Sequence, residues 1–167
     1  MNIKEAKSST SPLGLIYGLN GRGKSTLAFK SEKPVAILTE PGVPGGMSVP
    51  AFEGINRNED VLKAIGDLIH DEHDYGSLVV DTLDNYEQML LDYTCRMNNW
   101  KTIEQPAYGK GYVAADDEWR RFIRGITALR NKRGMAVLRL SRRDHHRTRS
   151  QGSVLLVLYA QASPAGA

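Results

Sequence analysis

Gly18–Ser25 reads GLNGRGKS and fits G-x-x-x-x-G-K-[ST] at every fixed position. The flanking residues supply the frame that this pattern needs. Leu13–Tyr17, LGLIY, is a short apolar run suited to a buried strand. Leu27–Lys30 continues from the loop as a short helix that Pro34 stops. The chemistry follows from the residue types. Glycines let the backbone turn its N–H groups inward as a nest around phosphate oxygens. Lys24 reaches the β- and γ-phosphates, Ser25 offers a hydroxyl to Mg²⁺, and the helix directs its positive end at the anion. The plain alternative is a glycine turn that merely joins strand to helix. The intact pattern inside a strand–helix frame favours phosphate binding by Gly18, Asn20, Gly21, Arg22, Gly23, Lys24, Ser25 and Thr26.

Working outward, the chain has 167 residues, 41% hydrophobic and 25% charged, with a formal net charge of +3. That composition excludes collagen-like and strongly disordered classes and suits one compact domain. The longest apolar run, Val154–Tyr159, is far shorter than the ~20 residues of a membrane span. The opening MNIKEAKSST has no apolar stretch, so no signal peptide is expected. Cys95 is the one cysteine, which leaves no internal disulfide and suggests a reducing, cytoplasmic compartment.

The remaining elements alternate. Val35–Leu38 is a second buried strand, ending at Thr39-Glu40, and the Gly/Pro-rich stretch Pro41–Gly54 is loop. Asn58–His70 has helical spacing with Asn58 as N-cap. Leu78–Val80 is a third strand, closed by Asp81. Asp84–Trp100 and Ala114–Asn131 are amphipathic helices separated by a loop over Lys101–Gly111, and Met135–Leu140 is a fourth strand. This order predicts an α/β fold, a mostly parallel sheet with helices on both faces and ligands at the carboxyl ends of its strands. The expected division is an N-terminal extension (1–12), a core (13–140) and an atypical tail (141–167).

Two acidic residues sit at strand ends. Asp81 suits the Mg²⁺ shell, usually through water, better than it suits an N-cap, which Asp84 would supply. Thr82 assists it by hydrogen bonding. Glu40 would face the same sheet edge and orient or deprotonate an attacking water; the equally balanced alternative is an exposed loop glutamate.

With these pieces together, the chain resembles the RecA-core P-loop ATPases, and among them the compact phage-encoded AAA family ATPases, some of which are linked to single-strand annealing and recombination. The matching segments are IYGLNGRGKST, ILTEPGVPGG, SLVVDTLDN, YGKGYVAADDEWRRF and GMAVL, over roughly residues 13–138. The resemblance implies ATP and Mg²⁺ as cofactors. It makes Glu40 the water-activating residue alongside Lys24 in catalysis, and Asp81 the Walker B aspartate, sharing the metal with Ser25. It also implies single-stranded DNA as a partner, a ring or filament of identical subunits, and the bacterial host cytoplasm for a phage-encoded chain. No membrane is expected.

The resemblance fails after the fourth strand. RLSRRDHHRTRSQGSVLLVLYAQASPAGA has an arginine cluster and then an uncharged tail, where the family has a Ser-His pair and further strands. Read one base out of frame from Leu140 onward, the degenerate code admits a peptide with that Ser-His pair. A reading-frame change near Val137–Leu140 is therefore expected, against the alternative of a divergent genuine tail. It would leave the sheet incomplete, with an unpaired edge. His145, His146 and Asp144 are too close in sequence to converge on one ion. Residues 1–138 hold 17 basic and 18 acidic residues, so the positive total comes from this tail and is not evidence of a polyanion partner.

What remains is a basic helix with Arg120, Arg121, Arg124, Arg130, Lys132 and Arg133. It reads either as a DNA-backbone contact or, somewhat better, as a solvated face. Lys110, between Tyr108 and Tyr112, could touch DNA or a neighbouring subunit's nucleotide. Two other classes stay open: a small-molecule or nucleotide kinase, and a non-catalytic nucleotide-binding module or defective gene product.

Overall fold

A computed structural model describes residues 11–141 and the backbone of 155–159. The elements run β1 (Leu13–Tyr17), α1 (Lys24–Ala28), β2 (Pro34–Leu38), α2 (Asn58–His70), β3 (Ser77–Asp81), α3 (Leu83–Asn98), α4 (Lys110–Arg133), β4 (Ala136–Ser141) and β5 (Leu155–Tyr159). The sheet order is β2-β3-β4-β1-β5. The first four strands are parallel, and β5 runs antiparallel against β1. β1 is thus paired on both sides, by β4 and by β5. The outer edge of β2 is covered too, where Ala36 donates to Pro50 and Phe52 donates back to Ala36. The bounds of the extension, the frame change and the His145–His146 reading rest on residues outside those described.

Strand alternation divides the core. Val35, Ile37, Leu78, Val80 and Val137 face α2, α3 and α4 on one side of the sheet. Ala36, Val79, Leu138 and Leu140 face the other side, against Ala28 and Phe29 at the end of α1 and Val43, Met47 and Val49 from the Gly/Pro-rich loop. Helices therefore flank both faces, heavily on one side and by a single short turn on the other.

Three local expectations need correction. The first helix begins at Lys24 and ends at Ala28, and Pro34 opens β2 instead of stopping it. Burial of Ala28 and Phe29 fixes that end, and the chain reverses through Lys33 at φ 41°. Asn58 is not the N-cap. Arg57 holds that position, and Asn58 is buried, donating to Glu118 and accepting from the Tyr86 hydroxyl. The loop expected over Lys101–Gly111 ends early, since α4 starts at Lys110. Gly111 allows this: a Cβ there would lie 1.8 Å from the Ile103 carbonyl oxygen, so only glycine lets the helix start so close to the loop.

Candidate nucleotide site

The chain leaves β1 at Tyr17, and the Gly18 N–H donates to the Ser141 carbonyl (3.3 Å), tying the loop to the end of β4. Gly21 (φ 73°) and Gly23 (φ 80°) are left-handed, the backbone region that favours glycine. Gly23 leads directly into α1, whose first residue is Lys24. The Lys24 side chain bends back over the loop, and Nζ donates to the carbonyls of Gly18 (2.7 Å) and Leu19 (3.0 Å). With five residues, α1 has a small macrodipole, so attraction for an anion falls on the loop N–H groups and Lys24.

Asp81 ends β3 and is buried. It accepts a hydrogen bond from Ser25 Oγ at 2.6 Å, which joins residues 56 positions apart in sequence. Burial pushes its carboxyl above the ordinary carboxylate range, while the Ser25 hydrogen bond and the Lys24 charge pull it back. Thr82 is buried beside it, and its hydroxyl has no hydrogen-bond partner among the described residues.

Asn20 through Thr26, Glu40, Pro44, Asp81 and Thr82 line one open cleft of about 450 Å³. Glu40, half-buried, thus meets the P-loop across the carboxyl end of the sheet, where α/β sheets take their ligands. Gly18 alone of the sequence-identified loop residues does not line the cleft; its carbonyl holds Lys24. Sequence reasoning missed Thr39. Its N–H donates to the Asp81 carbonyl, its hydroxyl bonds both backbone groups of Thr82, and its carbonyl accepts from Asn85. The available signal was a polar residue closing the apolar run of β2.

The basic helix separates into two parts. Arg130 is buried and donates to Asn131, and Arg133 donates to the carbonyls of Leu68 and Asp71, near the C-terminus of α2. Both are committed to the fold. Arg120 and Arg124 are exposed, and with Asp116, Trp119 and Ile123 they line a shallow groove of about 490 Å³. Tyr108, at the turn before α4, is 96% exposed.

A family model described as AAA domain matches residues 11–157, which takes in the loop, Glu40, Asp81 and the four parallel strands. The chain belongs to the AAA-domain family. No curated protein matches it. Membership in a family of P-loop ATPases makes nucleotide binding and hydrolysis the class of activity of this AAA domain, with ATP and Mg²⁺ the usual pair. The residues present fit that pair. There is a glycine nest beside a buried lysine, a serine–aspartate pair of oxygen donors suited to a hard cation, and an unsatisfied buried hydroxyl in the cleft wall. Among the described residues no helix is long and apolar enough to cross a membrane.

Proposed function

We propose that this AAA domain is an Mg²⁺-dependent ATPase acting in DNA recombination or single-strand annealing, in the cytoplasm and as a homo-oligomer. The convergence of Lys24, Ser25, Asp81 and Glu40 on one cleft supports the catalytic part of this reading. The backbone N–H groups from Asn20 to Thr26 cradle the phosphates, and Lys24 exchanges its two carbonyl partners for phosphate oxygens. Ser25 and Asp81 would hold the metal. Bound Mg²⁺ neutralises charge that develops on the phosphates. Glu40 orients the attacking water and accepts its proton.

The DNA part is supported by the exposed Arg120 and Arg124, which line a shallow groove together with Asp116, Trp119 and Ile123. Tyr108 and Lys110 stand at the same helix's start. ATP turnover measured with and without single-stranded DNA tests it. Stimulation that disappears in Arg120→Ala/Arg124→Ala supports the reading, and turnover indifferent to DNA removes it. The change of character after residue 140 supports a replaced C-terminus, which the coding DNA across residues 130–167 tests. An intact family-like reading in the shifted frame is expected, and stop codons there overturn the idea.

A further inference from the structure

The parallel ladder between β2 and β3 ends with Leu38 opposite Asp81. The next pair, Thr39 and Thr82, is joined in a different way. The Thr82 N–H donates to Thr39 Oγ1 at 2.8 Å, and the same hydroxyl donates to the Thr82 carbonyl at 2.7 Å. One side chain therefore satisfies both backbone groups of the residue that follows Asp81. The Thr39 N–H donates to the Asp81 carbonyl at 2.8 Å, and Asn85, in the first turn of α3, donates to the Thr39 carbonyl at 3.3 Å. Every polar group of Thr39 is spent on the last residue of β3 or on the segment that follows it. Thr39 is 8% exposed and Thr82 2%, so water does not compete for these bonds.

We propose that Thr39 is a positioning residue for nucleotide turnover, clamping the start of Glu40 to the Asp81–Thr82 segment so that the water-side and metal-side carboxylates keep a fixed separation. The inference rests on Glu40 acting on the attacking water. A displacement of about 1 Å at a reacting centre can cost a hundredfold in rate, and binding by the P-loop does not depend on it. Thr39 acts through Glu40 and does not touch the nucleotide.

The test is a cycle on the full chain: wild type, Thr39→Val, Glu40→Gln and the double variant. It reads single-turnover ATP hydrolysis, affinity for a non-hydrolysable ATP analogue with Mg²⁺, and thermal melting. Thr39→Val should lower kcat at least tenfold and leave analogue affinity within about twofold, and Thr39→Ser should restore kcat. In the Glu40→Gln background Thr39→Val should cost almost nothing more. An equal loss in both backgrounds, or a parallel loss of affinity and melting temperature that Thr39→Ser does not separate from turnover, overturns the proposal. Should Thr39→Val fail to fold, Asn85→Ala removes the third tie more gently. It should lower kcat two- to threefold in wild type and leave Glu40→Gln unchanged; equal effects in the two backgrounds overturn the clamp. If Glu40→Gln alone leaves kcat intact, the role of Glu40 itself fails, an outcome separate from a failure at Thr39.

Discussion

At the scale of single residues, the candidate site is built from groups that are costly to the fold. Asp81 is a buried carboxylate whose pKa burial has raised. The folded chain therefore holds its proton to a higher pH than the unfolded chain does. Between those two values the folded state binds more protons, so stability falls as pH rises through that window. Asp81→Asn removes this cost. Melting curves from mildly acidic to neutral pH should show the ligand-free variant at least as stable as wild type near neutrality, without that segment of pH dependence. The same variant should lose the tightening of ATP binding by Mg²⁺, which titration with and without the ion measures. Lys24 and Ser25 became candidates because a phosphate-binding loop fixes residue types at fixed spacing, and Asp81 because it is the acid that closes an apolar strand. Thr39 did not, because the role proposed for it consists of bonds to Thr82, 43 positions away. No local pattern records such bonds.

At the scale of elements, the helical layer is held by a buried polar chain that periodicity does not reveal. The Tyr86 hydroxyl on α3 donates to Asn58 on α2 at 2.7 Å, and Asn58 donates to Glu118 on α4 at 3.2 Å. Burial pushes the Tyr86 phenol well above its ordinary pKa, so it stays a donor throughout the working pH range. Around it Trp119 meets Tyr86 edge-on at 5.5 Å, and Phe122 lies 4.6 Å away. Tyr86→Phe keeps the ring packing and leaves a buried acceptor on Asn58 unpaired. Denaturant unfolding should report a loss of about 1–3 kcal/mol. Apolar spacing located these helices to within a few residues because each buries one face. It misplaced the start of α4, where the Gly111–Ile103 approach decides, and it took the inward Asn58 for the cap of α2, whose bounds it otherwise matched.

At the scale of the whole molecule, the sheet places the candidate site. Placing β4 between β1 and β3 brings the P-loop, Asp81 and Glu40 to one end of the sheet. The α/β class and its parallel strands were legible from alternating apolar runs and helices. The strand order was not, since its decisive pair, β1 with β4, joins residues more than 100 positions apart, as Leu13 joins Val137. The antiparallel β5 lies in the segment whose composition departs from the rest. The proposed function has this cleft bind and hydrolyse Mg²⁺-ATP through Lys24. Its most direct test measures ATP binding and phosphate release by wild type and Lys24→Ala side by side, with and without Mg²⁺. Tight, Mg²⁺-dependent binding with turnover is expected in wild type, with both abolished in a folded Lys24→Ala. Retained tight binding in that variant, or no binding by wild type, would contradict it.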